Sequence, residues 1–519
     1  MKKKILKRIA LLLLLVTVLS SFASCKNDNG DTSTPTLPPA TTASDVEANT
    51  GETDEYDPGN VNFGGYDFKM LVQSNEKHYT LHVYEGTNTP TQVTDTAIWQ
   101  REHLLKSAYG VNLVMLKPSG DVSLATMLRN NAGQDSYDIV MPIAESVFTF
   151  AQEDLLLDIN KLPNLNLQAS YWDQRIQEDY KIMDSLYCIE GDFNFADDLA
   201  TYVYIYNDFL YNQYGYYDTY GSPYELVSNG GWTVETLKRM IKDKSAETGE
   251  GVWNERDTYG YIAECAVPYY LLHGAGIKQM SNQNGELILN INDSSTWERI
   301  YETLNSVSEL VYTEDSIVPG RPGEMTSDGQ DFIWSAVSDI FKYDRALFRS
   351  TTLSAVIDLQ DMKSDYGILP VPNNEEGSTE YYSLIRPDLH YPMTFPSSLT
   401  DVDKTTQIAE LYAYVSANGP DSLRAAFFDV LADARLCRTA NDVEMLELVF
   451  ANKAYDLDDA LLVTDLHNAV SNAVAKKANL ADCMGEISSK CGPANKESMI
   501  TKLNSIVKNL LPELSSDPG

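Results

Sequence analysis

Three acids stand where they could do chemistry. Asp197 and Asp198 are neighbours, and Glu145 lies three residues beyond the apolar run YDIVMP at 137–142. Glycoside cleavage needs two carboxylates facing one another across the scissile bond. Adjacent acids on a strand point to opposite sides, so the Asp197–Asp198 pair offers at most one member of such a couple, and no second member can be named. His78 and His82 have the i, i+4 spacing of helical metal ligands, but no third ligand is near them. The patterns GxxxxGK[ST], HExxH, GxSxG and CxxC and the acidic calcium loop do not occur. The expectation is a protein with no catalytic residues, no metal and no cofactor. A secreted glycoside hydrolase is the alternative carried forward.

Cysteine chemistry points to the compartment. Residues 1–8 carry five basic side chains, and the apolar run from Ile9 to Leu19 follows. A membrane-spanning helix needs about 20 apolar residues, so this shorter run reads as the core of a secretory leader occupying residues 1–24. The small residues before Cys25, in Phe22-Ala23-Ser24-Cys25, resemble a bacterial lipobox, which makes Cys25 the expected lipidation site. An acyl chain then holds the exported protein at the membrane. Five cysteines remain, at 188, 265, 437, 483 and 491. The odd number leaves at least one unpaired. Cys483 and Cys491, the one close pair, could bridge in an oxidising compartment.

Residues 25–60 hold few large apolar side chains and many Thr, Pro, Asp and Asn. Such a stretch reads as a flexible tether. With 75 acidic against 39 basic residues the net charge is −36, and loss of the basic leader makes it more negative. Phosphate backbones and anionic lipid surfaces repel such a chain, so nucleic acid is excluded as a partner.

Positioning elements alternate between strand and helix periodicities, as in an α/β fold. Strands are expected at 66–73, 111–116, 137–142, 201–207 and 366–372. Helices are expected at 95–109, 121–130 with an acidic N-cap, 233–244 with Thr233 as N-cap, and 294–311. The C-terminal third reads as helices at 404–416, 443–450, 461–476 and 496–511. Tyr202, Tyr204 and Tyr206 alternate with Val203 and Ile205 and read as core. Trp172, Trp253 and Trp334 are ring platforms that the pattern leaves unplaced.

Several segments, taken in order, resemble the family-1 extracellular solute-binding proteins, the group related to maltose-binding protein. They are YDIVMP and LLLDI at 137–159, YIYNDFLYNQYG at 204–215, GGWTVETLKRMI at 230–241, DTYGYIAE at 257–264, YGILPVPN at 366–373 and EMLELVFANKAYDL at 444–457. The resemblance implies a two-lobed periplasmic-binding-protein-like fold with a hinge between lobes. Lobe 1 would comprise 61–197 plus about 392–440, and lobe 2 would comprise 198–391 plus about 441–519. Crossings would fall near 198–204 and 391–395. It also implies a monomer anchored outside the cytoplasm. Such a protein captures a small molecule, by expectation a mono- or oligosaccharide, and hands it to an ABC permease with its ATPase subunits. A non-sugar solute stays open.

A sugar site wants aromatic faces with fixed acids, amides or Arg as hydrogen-bond partners. Glu145, at a strand end, is the residue-level candidate in lobe 1. Matching to the family adds Asp197 and Asp198 at the crossing, and Glu264 and Tyr269 in a loop at 264–270. It adds Arg349 after the strand-like Ala346–Phe348, and Trp232 at the head of its helix.

Overall fold

The computed structural model describes residues 56–73, 82–118, 122–131, 137–249, 251, 253–318, 334–432, 436–475 and 480–511. The leader, Cys25, most of the tether and His78 lie outside them. The described residues from Tyr56 onward belong to one compact unit.

Strand β1 (Tyr66–Val72) pairs in parallel with β2 (Val111–Leu116) on one side and β3 (Ile139–Met141) on the other. Its side chains alternate between two cores. Phe68, Met70 and Val72 pack with Phe193, Met393 and Tyr412, while Leu71 joins Val140 and Phe148. A sheet covered on both faces needs such near-continuous apolar strands. Returning chain widens this sheet, for Thr394 bridges Val140 and Met393 bridges Ile189, both antiparallel.

The second sheet has the order β10-β4-β9-β5-β8, with β4 at Tyr202–Asn207, β5 at Tyr259–Ile262, β8 at Ser316–Ile317, β9 at Ala346–Thr352 and β10 at Tyr366–Leu369. β4 is antiparallel to β9 and β10, whereas β5 is parallel to β8 and β9. The alternation in β4 falls as its spacing requires: its three tyrosines enter one core with Trp232, and Val203 and Ile205 enter another with Ile340 and Ile368. Buried phenols need partners, and the Tyr261 hydroxyl lies 2.9 Å from both the Tyr204 and the Ser350 hydroxyl oxygens, donating its one proton to one of them. Between Ile385, bridged to Thr201 beside the second sheet, and Met393, bridged to Ile189 beside the first, the chain passes from one sheet to the other.

Three smaller pieces matter below. Strands β6 (Met280–Gln283) and β7 (Glu286–Leu289) form a hairpin, and β11 (Ser383–Leu384) pairs in parallel with β12 (Lys453–Ala454). Helices Leu457–Leu461 and Lys496–Leu510 pack on helix Ala144–Gln152, which follows β3.

Several expectations need correction. Helix Leu124–Asn130 is capped by Ser123, whose side chain accepts from the Thr126 N–H, and not by an acid. The helix begun by Thr233 stops at Ile241, because Asp243 takes a left-handed φ of 58°. The C-terminal helix expected at 461–476 is two helices, Leu457–Leu461 and Leu466–Ala475. Left-handed Leu462 and Asp465, with the Thr464 N–H bound to Asp458 at 2.9 Å, break it. Cys491 is a free, buried thiol. It shares helix Leu480–Cys491 with Cys483, and eight helical residues span about 12 Å, beyond the ~7 Å limit for a disulfide. Among the described residues no helix is long and apolar enough to cross a membrane.

Candidate functional site

Glu145 sits in the first turn of helix Ala144–Gln152, just beyond the carboxyl end of β3. The helix macrodipole favours a carboxylate there. Its side chain is exposed but close to other charges. Loss of hydration and the negative charges of Asp388 and Asp459 raise its pKa, against the pull of His467 and Arg386.

Glu264 lies two residues past the carboxyl end of β5 and is 8 % exposed. Its Oε2 is 3.2 Å from Nη1 of Arg386. The same guanidinium grips Asp388 with two bonds, Nε to Oδ1 at 3.0 Å and Nη2 to Oδ2 at 2.7 Å. This fork is the geometry that suits Arg and carboxylate, and it leaves the guanidinium committed on both sides. Burial raises the pKa of Glu264, with Arg386 and Arg349 opposing. The Tyr202 hydroxyl, near Glu264, has no hydrogen-bond partner among the described residues.

Asp459 and His467 complete this cluster. His467 Nδ1 is 2.9 Å from Asp459 Oδ1, and its ring stacks on Tyr269 at 4.5 Å and 8°. Burial opposes protonation of His467, but the Asp459 hydrogen bond and charge outweigh it and the pKa rises.

A second cluster centres on Lys453 at the start of β12. Its ammonium lies 2.8 Å from Asp173, 2.7 Å from Asp197 and 2.9 Å from Asp198. Asp197 and Asp198 are on a short helix, Ala196–Ala200, and not on a strand. The helical turn lets both reach one lysine. The Tyr455 hydroxyl, with one proton to donate, lies 3.1 Å from Asp173 and 3.1 Å from Asp197. Burial and the charge of Asp197 push Asp198 up to about 7, although Lys453 pulls it down. Lys453 itself is held charged: burial works against it, and the three aspartates prevail. Nearby, His390 Nδ1 is 2.9 Å from Glu190 Oε1. Burial lowers His390 to about 4 and raises Glu190.

The structure therefore distributes the sequence candidates over three environments. Glu264 is paired with Arg386, and Glu145 feels the charges of Asp388 and Arg386. Asp197 and Asp198 face Lys453. Tyr269, expected in a loop, is on the buried helix Val267–Gly274 and donates its hydroxyl to Asp456. Arg349 does not follow its strand but occupies the middle of β9, 2 % exposed, with Nη1 3.3 Å from Ser338 Oγ. Trp232 is wholly buried against Tyr204 and Phe348 and donates its indole N–H to Pro370 O at 2.8 Å. Trp172 is buried on Glu410, Trp253 is 40 % exposed beside Tyr259, and the Trp334 side chain lies outside the described residues. His82 is buried against Tyr412, and no group of metal-ligating side chains occurs among the described residues.

Sequence reasoning missed Arg386, Asp388, Asp459, His467 and Lys453. Arg386-Pro387-Asp388 did carry a signal: a charged couple just before an expected crossing. Asp459 and His467 are joined across a helix break that no periodicity announces.

No family model matches the chain, and no curated protein matches it. Solved structures do. RafE from Streptococcus pneumoniae, in its apo form, is 12% identical with a TM-score of 0.50, over 84% of this chain and 99% of that one. The maltose/maltodextrin-binding domain MalE from Bdellovibrio bacteriovorus, bound to maltotriose, is 11% identical with a TM-score of 0.48, over 82% and 98%. At these identities the likeness concerns architecture, and the chain has the two-lobed α/β fold of periplasmic-binding-protein type that its motifs led one to expect.

Proposed function

We propose that this chain is an extracytoplasmic solute-binding protein that captures a carbohydrate between its lobes and delivers it to an ABC permease and its ATPase. Lobe 1 is taken as 61–197 plus about 392–440, and lobe 2 as 198–391 plus about 441–519. Cys25 carries the lipid anchor, and the protein works as a monomer without catalytic residues or cofactor.

One observation carries the reading. Glu145 and Glu264 lie just beyond the carboxyl ends of parallel strands in two different sheets. Both approach the Arg386–Asp388 fork on the segment that passes between those sheets. Ligands of open α/β sheets bind outside the carboxyl ends of the strands. Groups drawn from both lobes and the crossing meet only when the lobes are together, so a ligand touching them favours the closed population. Carboxylates and a fixed guanidinium suit hydroxyls, which both donate and accept. The sharing of one lysine by Asp197 and Asp198 favours binding over hydrolysis, because they do not face each other across a substrate.

Isothermal titration of the full chain with neutral mono- and oligosaccharides tests this. Saturable binding that weakens at least tenfold in Glu145→Ala is expected. Binding of peptides or polyamines with no response to any saccharide would replace the ligand class.

A further inference from the structure

Away from the Glu145 cluster, a cavity of about 580 Å³ opens between residues 160–186 and the β6–β7 hairpin. Six carboxamides line it, and four of them are locked by their nitrogens. Asn160 Nδ2 donates to Asp184 O at 2.7 Å, and Gln177 Nε2 to Leu167 O at 2.9 Å. Gln174 Nε2 donates to Leu167 O and Trp172 O, both at 2.9 Å. Across the cavity, Asn282 Nδ2 donates to Met183 O at 2.7 Å and Lys181 O at 3.2 Å. Carbonyl partners fix which end of each amide is nitrogen.

Of these four amide oxygens that of Asn282 is sealed from solvent, without a hydrogen-bond partner among the described residues. The amides of Asn160, Gln174 and Gln177 are held on the cavity wall by the backbone carbonyls that their nitrogens bind, and their oxygens form an acceptor array there. The acids at its edge have cations of their own: Glu178 is 3.2 Å from Arg175, and Asp184 is 4.0 Å from Lys181. The array therefore calls for neutral donors, and the volume lies in the range of small-molecule sites.

We propose that this cavity is a second binding site, for a neutral polyhydroxylated molecule such as a sugar or polyol. Its hydroxyls donate to the oxygens of Asn160, Gln174 and Gln177. Its occupant bridges the 160–186 segment and the hairpin, and so steadies the hold that Asn282 already has on that segment.

The experiment is titration of the full chain with glucose, maltose, maltotriose and mannitol, in wild type, Gln168→Trp, Gln177→Met and Glu145→Ala. Gln168 is exposed on the cavity wall, so a tryptophan there fills space without entering the core, and Gln177→Met removes one acceptor at similar size. At least one probe should bind wild type and Glu145→Ala alike, yet bind tenfold or more weakly in both cavity variants. Probe binding that is unchanged in the two cavity variants overturns the second site. So does the absence of any probe binding in Glu145→Ala, and neither result decides whether the Glu145 cluster binds a sugar of its own.

Discussion

Two polar clusters flank the passage between the sheets, and they are built from nearly the same residue types. Around Lys453, three aspartates and a tyrosine close on one ammonium, and every acid there finds a cation or a hydroxyl of the protein's own. Around Glu145 the cations are already committed. Arg386 is divided between Glu264 and Asp388, His467 is bound to Asp459, and Glu145 is left exposed with like charges for neighbours. The first arrangement is a tie between segments distant in sequence. The second leaves a carboxylate exposed, and it is this carboxylate that we propose for the ligand. Acid content alone would not have separated them; where the cations are committed does.

The largest effect should come from breaking the tie. Lys453→Met leaves three buried carboxylates without their cation, and removing one partner of a buried pair costs about 3–5 kcal/mol. Urea unfolding should show that loss, and Asp198→Asn in the same chain should restore part of it. An unchanged urea midpoint would mean that water reaches the aspartates and the tie is no tie.

Glu145→Ala should do the reverse. An exposed substitution moves stability by no more than about 0.5 kcal/mol, whereas ligand affinity should fall about tenfold, since a hydrogen bond to a charged group contributes about 1.5–3 kcal/mol. A fall in melting temperature comparable to that of Lys453→Met would erase the distinction between the clusters.

The smallest effect is on pH dependence. His467 has a folded pKa above its unfolded value of about 6.5. The stability it contributes is fully present below the unfolded value and is lost as pH rises through the folded one. Asp198 is raised to about 7, well above an unfolded value of about 3.9. Its folded state therefore holds the proton more tightly, and that share too fades as pH rises through about 7. Melting temperature should decline between pH 5 and 8.5, and His467→Gln and Asp198→Asn should each flatten the slope. A steeper slope in either variant would reverse the sign assigned to that group.

Much of the frame was legible because burial imposes periodicity. Val111–Leu116 and Ser294–Val311 end where the pattern says, and the alternation in β4 sorts tyrosines and aliphatics into separate cores. The candidate site was legible at Glu145, which stands at a strand end that the pattern locates, and at Glu264 only through the family resemblance. Lys453 meets Asp198 across more than half the chain's folded length, and Asp459 meets His467 across a turn made by left-handed Leu462 and Asp465. Neither contact leaves a local trace. Arg349 and Trp232 show the converse limit: a motif marks the element, but packing decides whether its side chain faces the core.

Thermal unfolding of wild type, Glu145→Ala and Asp198→Asn, each with and without saccharides, tests the central claim most directly. A ligand at 100 times its dissociation constant adds about 2.7 kcal/mol to stability. The account requires that a saccharide raise the melting temperature of wild type and Asp198→Asn equally and that of Glu145→Ala much less. An equal rise in all three for every saccharide that binds, or a loss confined to Asp198→Asn, would place the ligand elsewhere and contradict the account.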